Sequence, residues 1–82
     1  MKNTGKSKAD DLWLQRLGKK IQELIRAKGY ASPYELWIEK GDEKISRSTI
    51  NYIINGKIDP KVSTLRIVAK MLNVELVDLF HF

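Results

Sequence analysis

The chain contains no cysteine, which excludes a disulfide framework and any zinc site built on thiolates. Its one histidine, His81, stands beside the final residue, with no triad or metal cluster to join it. An exposed imidazole is expected there. Glycine forms no phosphate-cradling loop, because Gly18 and Gly29 fall within or at the end of a helical pattern. No apolar run approaches the length of a membrane span. The stretch from Met1 to Asp11 is rich in Lys, Ser and Asp and lacks the apolar centre of a secretory signal. These absences argue against an enzyme, a metalloprotein and a membrane protein. They imply no cofactor and no small-molecule ligand, and a cytoplasmic location is expected.

What remains is a chain of 82 residues, 43% hydrophobic, enough for one small domain with an economical core. Without cysteines, an all-α domain packed by aliphatic side chains is the natural solution. The net charge of +5 favours polyanionic partners only modestly. Part of it sits in a tail, where Lys2, Lys6 and Lys8 face Asp10 and Asp11. Residues 1–10 read as a disordered basic arm, either simply solvated or touching a polyanion, and 11–82 as the folded domain.

The helices are written in caps and spacing. Leu14, Leu17, Ile21, Leu24 and Ile25 mark one face from about Asp11 to Lys28, with Asp10 or Asp11 as N-cap and Gly29 as stop. Trp13 lies beside this stripe, and core packing is expected of it. Ser32-Pro33-Tyr34-Glu35 opens a second helix with Ser at the N-cap, Pro at N1 and Glu completing a capping box. That helix runs through Leu36, Trp37 and Ile38 to about Lys40, and a polar loop of Gly41, Asp42, Glu43 and Lys44 follows. After Ile58-Asp59-Pro60, a fourth helix begins near Ser63 or one residue earlier and ends at Asn73. Leu76, Leu79 and Phe80 predict a short fifth helix.

The third helix organises the rest. Ser46 can accept an orphan N–H at its start, and Asn55-Gly56 can end it, with Gly56 in the left-handed conformation. Ile50, Ile53 and Ile54 repeat at i, i+3, i+4 and predict a buried back. Ile45, just before the cap, can pair with Ile50 as a hydrophobic staple. The other positions are Arg47, Ser48, Asn51, Tyr52 and Asn55, hydrogen-bonding groups suited to reading base edges in a DNA major groove.

In this order the elements resemble the Xre-type helix-turn-helix domain of phage repressors and Cro proteins. The residues that carry the resemblance are Ile45 to Ile50, Asn55-Gly56-Lys57, Pro60, Leu65, Val68-Ala69, Leu72, Val74, Leu76 and Leu79-Phe80. The resemblance implies a five-helix, repressor-like bundle with a lengthened turn between its second and third helices. Three departures stand out. Pro33 occupies the position of a Gln that contacts phosphate in relatives, which leaves that contact to Ser32, with Tyr34 as helper. Trp37 replaces a small residue, often Ala, where the two helices approach, so the second helix must shift or turn. Ile25 and Ile54 stand where many relatives bury an Arg–Glu pair. Losing one partner of such a pair costs about 3–5 kcal/mol, whereas replacing both by apolar groups is often neutral, so these isoleucines are expected to pack together.

Family register also assigns the site. Arg47, Ser48, Asn51 and Tyr52 point at base edges. Arg47 can fork onto guanine or touch phosphate, Asn51 can pair with adenine, cap or face water, and Tyr52 can meet a thymine methyl or a phosphate. Asn55, Lys57 and Lys61 follow the backbone, with Lys44 and Thr49 as weaker phosphate candidates. The implied partner is double-stranded DNA. Ile67, Met71, Val77 and Phe82 form a candidate homodimer face for reaching two half-sites roughly 34 Å apart. The rival is the same fold used as an antitoxin or adaptor that binds protein; the hydrogen-bonding front of the third helix favours DNA.

Overall fold

Leu14, Leu17, Ile21 and Ile25 recur every three or four residues and are all buried, which fixes the inner face of the first helix. The computed structural model describes residues 8–41 and 44–82. It contains α1 (Lys8–Ala27), α2 (Pro33–Lys40), α3 (Arg47–Ile54), α4 (Val62–Leu72) and a closing 3₁₀ helix (Leu76–Phe80). Among the described residues there is no strand, as the all-α reading requires. The fifth helix is thus a short 3₁₀ turn, set by Glu75 and Asp78, whose side chains cap one another's backbone N–H groups. The proposed arm at residues 1–7 and the loop residues Asp42 and Glu43 lie outside the described residues. Asp10 and Asp11 do not cap α1, because the helix already starts at Lys8.

The sequence punctuates these helices in the same way three times. Gly29, Gly56 and Asn73 adopt positive φ values of 96°, 69° and 57° after α1, α3 and α4. In each case the following residue donates back to the carbonyl five positions earlier: Tyr30 to Ile25, Lys57 to Tyr52 and Val74 to Ala69, at 3.1, 2.8 and 3.0 Å. These paired closures satisfy carbonyls that a helix end would otherwise leave open. Tyr30 then anchors the α1–α2 connector. A hydrogen bond to Glu39, partial burial and the charge of that carboxylate together hold its phenol above its usual pKa.

Leu36 from α2, Ile45 from the turn, Ile50 and Ile53 from α3, Leu65, Val68 and Leu72 from α4, and Leu79 close one core with α1. Burying each such side chain contributes about 1.5–3 kcal/mol. Ile25 is completely buried in this core and Ile54 packs against it half-buried, with no charged residue among the core members.

One aromatic side chain departs from the core packing expected of it, and a second makes a contact across the turn. Trp13 is 45% exposed, stacked on Phe80 at 5.9 Å and edge-on to Phe82 at 5.7 Å. One residue before Leu14, it lies about 100° off the buried stripe and meets the chain's end instead of the core. Trp37 is half-buried against the core and donates its ring N–H to the carbonyl of Ile45 at 3.3 Å. The bulky indole therefore braces the lengthened turn, tying α2 to the residue just before the cap of α3.

Candidate nucleic-acid interface

The start of α3 is fixed from both sides. Ile45 and Ile50 are buried at 4% and 2% exposure, holding the entry and the first turn. Between them the Ser46 hydroxyl accepts the Thr49 N–H at 3.1 Å and lies 2.9 Å from the Thr49 hydroxyl. Ser46→Ala is expected to cost about 1 kcal/mol, read as a lower urea midpoint at unchanged m-value. An unchanged midpoint would show that the cap does not hold this helix.

With Ile50 and Ile53 inward, the period of the helix turns Arg47, Ser48, Asn51 and Tyr52 outward, and all four are exposed. Tyr52 is 52% exposed, so it is not a core residue. The four expected base readers therefore share one accessible face. Asn55 is partly committed elsewhere: its side-chain amide donates to the Asn51 carbonyl at 2.9 Å, closing its own helix. Thr49 is likewise engaged with Ser46 through its hydroxyl.

Cations flank this face. Lys44 precedes α3, Lys57 follows it, and Lys61 is the N-cap of α4; all three are exposed. The first turns of α3 and α4 carry no acid, and no side chain caps α4. The start of α4 is thus uncapped, and neither helix start has an acid in its first turn to offset its positive dipole end. The start of α2 differs. Ser32 accepts the Glu35 N–H at 3.3 Å, and the Glu35 carboxylate accepts the Ala31 N–H at 3.3 Å. The carboxylate reaches the residue before the cap, so the capping box is offset by one position from the expected pattern.

Tyr34, the expected phosphate helper, makes a contact of its own. It is 47% exposed, and the Arg47 guanidinium lies over its ring, 4.9 Å from the centroid. The residue pattern gave no sign of this contact, because it joins the starts of two helices across the turn.

The four residues of the candidate dimer face differ in exposure. Met71 is 7% exposed and belongs to the core, since it stands three residues after Val68 on the same side of α4. Phe82 is engaged with Trp13. Val77 is exposed, and Ile67 lines a surface groove of about 690 Å³ beside Lys44, Arg66 and Lys70. His81 is surface-exposed, 3.9 Å from the Asp78 carboxylate. Among the described residues no group of acids and histidines could hold a metal, and no helix is long and apolar enough to cross a membrane.

A short capped helix, buried on isoleucines behind and hydrogen-bonding in front, packed beside a second helix across a turn, defines a helix-turn-helix domain. The sequence model of a family described as helix-turn-helix matches residues 39–79, half of the chain, and the protein belongs to that family of Xre-like DNA-binding domains. The match starts at Glu39, beyond Pro33 and Trp37, where the sequence departs from the repressor pattern. Comparison with curated proteins and with solved structures gives no match.

Proposed function

We propose that the protein is a sequence-specific regulator of transcription that lays the 46–55 segment into the major groove of duplex DNA. The observation that carries this reading is the sidedness of α3. Ile50 and Ile53 are 2% exposed, while Arg47, Ser48, Asn51 and Tyr52 all face solvent. Arg47 forks onto guanine O6 and N7, Asn51 pairs with adenine, Ser48 donates to either, and Tyr52 meets a thymine methyl. Lys57 and Lys61, with Lys44, Thr49, Ser32 and Asn55 in minor roles, position the domain on phosphates and carry no sequence information. The cytoplasm is the compartment this function requires.

Selection of bound sites from a random duplex pool tests the reading. The expected result is enrichment of a short motif containing a guanine. A mirrored pair of such motifs roughly 34 Å apart would show two copies acting together. A pool that binds without enrichment, or not at all at low salt, would leave the domain as a protein-binding module of the antitoxin or adaptor kind.

A further inference from the structure

We infer that Tyr34 sets sequence specificity without touching a base, by holding Arg47 in the orientation that reads guanine. The inference rests on the proposed role of Arg47 as a base reader.

Tyr34 stands at the second position of α2 and Arg47 at the first position of α3. The guanidinium lies 4.9 Å from the centroid of the tyrosine ring. A cation over an aromatic ring is held there by its charge, whereas forked hydrogen bonding to a base uses the N–H groups of the guanidinium. The two interactions therefore do not compete. A carboxylate partner would occupy those N–H groups, and the first turn of α3 carries none.

A free arginine side chain samples many rotamers and must be ordered when it docks on a base. Held over the Tyr34 ring, it is ordered before DNA arrives, and a pre-organised fork binds its target more tightly. Tyr34 is itself steadied by its place in a helix start closed by Ser32 and Glu35. The ring provides the platform, and its hydroxyl is not needed for that purpose.

The test compares the wild type with Tyr34→Phe, Tyr34→Leu, Arg47→Ala and the double variant Tyr34→Leu/Arg47→Ala. Each is titrated with the selected duplex and with its single-base variants. Because Tyr34 is 47% exposed, both substitutions should leave the fold intact, checked by unchanged thermal melting. Tyr34→Leu is expected to reduce discrimination about two- to fivefold, the size of an exposed cation–π contact. The loss should fall only at the base position that Arg47→Ala relaxes. Tyr34→Phe should retain the wild-type preference, and the double variant should discriminate no worse than Arg47→Ala.

A uniform loss on all duplexes in both Tyr34 variants would make Tyr34 a phosphate contact through its hydroxyl and overturn the inference. Unchanged discrimination in Tyr34→Leu, with Arg47→Ala still relaxing one position, would overturn the inference alone. If Arg47→Ala relaxes no position, the base-reader assignment fails and Tyr34 has nothing to orient.

Discussion

Gly18→Ala is expected to lower the melting temperature by about 10 °C, against the direction that helix propensity alone would give. In a helix interior, alanine is favoured over glycine by about 1 kcal/mol, and Gly18 sits in the middle of α1. The obstacle is not local. A Cβ added at Gly18 would stand 2.6 Å from the Ile53 carbonyl oxygen and in harder collision with the Ile54 carbonyl. Both atoms belong to the backbone at the end of α3, which the closing bonds of Gly56 and Lys57 to Ile53 and Tyr52 hold in place.

No side chain is available to swing aside, so α1 and α3 must separate. Overpacking of this kind costs about 1–3 kcal/mol and occasionally more, and a collision with two backbone carbonyls stands at the upper end, about 3 kcal/mol. After the propensity gain is set against it, a net loss of about 2 kcal/mol remains, and each 1 kcal/mol shifts the midpoint of a domain this size by about 4–8 °C. Gly29 supplies the contrast. It has φ +96° with nothing within 4 Å of an added Cβ, so Gly29→Ala meets only backbone strain. Thermal melting followed by circular dichroism separates the two. A Gly18→Ala protein that melts higher than the wild type would show that the helices do not cross this closely.

The contrast between these glycines also marks how far the sequence alone could be read. Ser32, Ser46, Gly29, Gly56 and Asn73 were legible because a cap is a local device, made by residues three to five positions apart. The inward and outward faces of α3 were legible because the isoleucine spacing fixes both sides of a helix at once. The need for a glycine at position 18, the bond from Trp37 to Ile45 and the Trp13–Phe80–Phe82 cluster depend on where one helix crosses another, and nothing in a helical period encodes that. Met71, named for the dimer face, is instead core, because the buried face of α4 takes in Met71 beside Leu65, Val68, Ala69 and Leu72. At the site, the period of α3 presented the four outward residues, while the Tyr34 ring beneath Arg47 came from a neighbouring helix and stayed hidden.

Arg47→Ala and Lys57→Ala are expected to weaken DNA binding in two separable ways. Both side chains are exposed cations at opposite ends of α3, and charge alone would make them equivalent. Their surroundings do not. Arg47 stands at the first position of the helix with its guanidinium over the Tyr34 ring, and as the proposed base reader it offers a fork of N–H donors. Its loss should relax preference at one position by about 1–3 kcal/mol, the worth of a bidentate contact to guanine, while random DNA is bound nearly as before apart from the lost charge. Lys57 lies beyond the helix stop, where its backbone N–H closes α3 through Tyr52 at 2.8 Å and its ammonium extends from a connector. A point charge on a flexible stem neutralises a phosphate without distinguishing sequences. Lys57→Ala should therefore weaken selected and random duplexes alike and reduce the slope of log affinity against log salt by about one unit. Titrations of both variants on both duplexes at several salt concentrations give the comparison. If the two behave identically on selected and random DNA, the division between reader and positioner is wrong, and the outward face of α3 does not enter the groove as proposed.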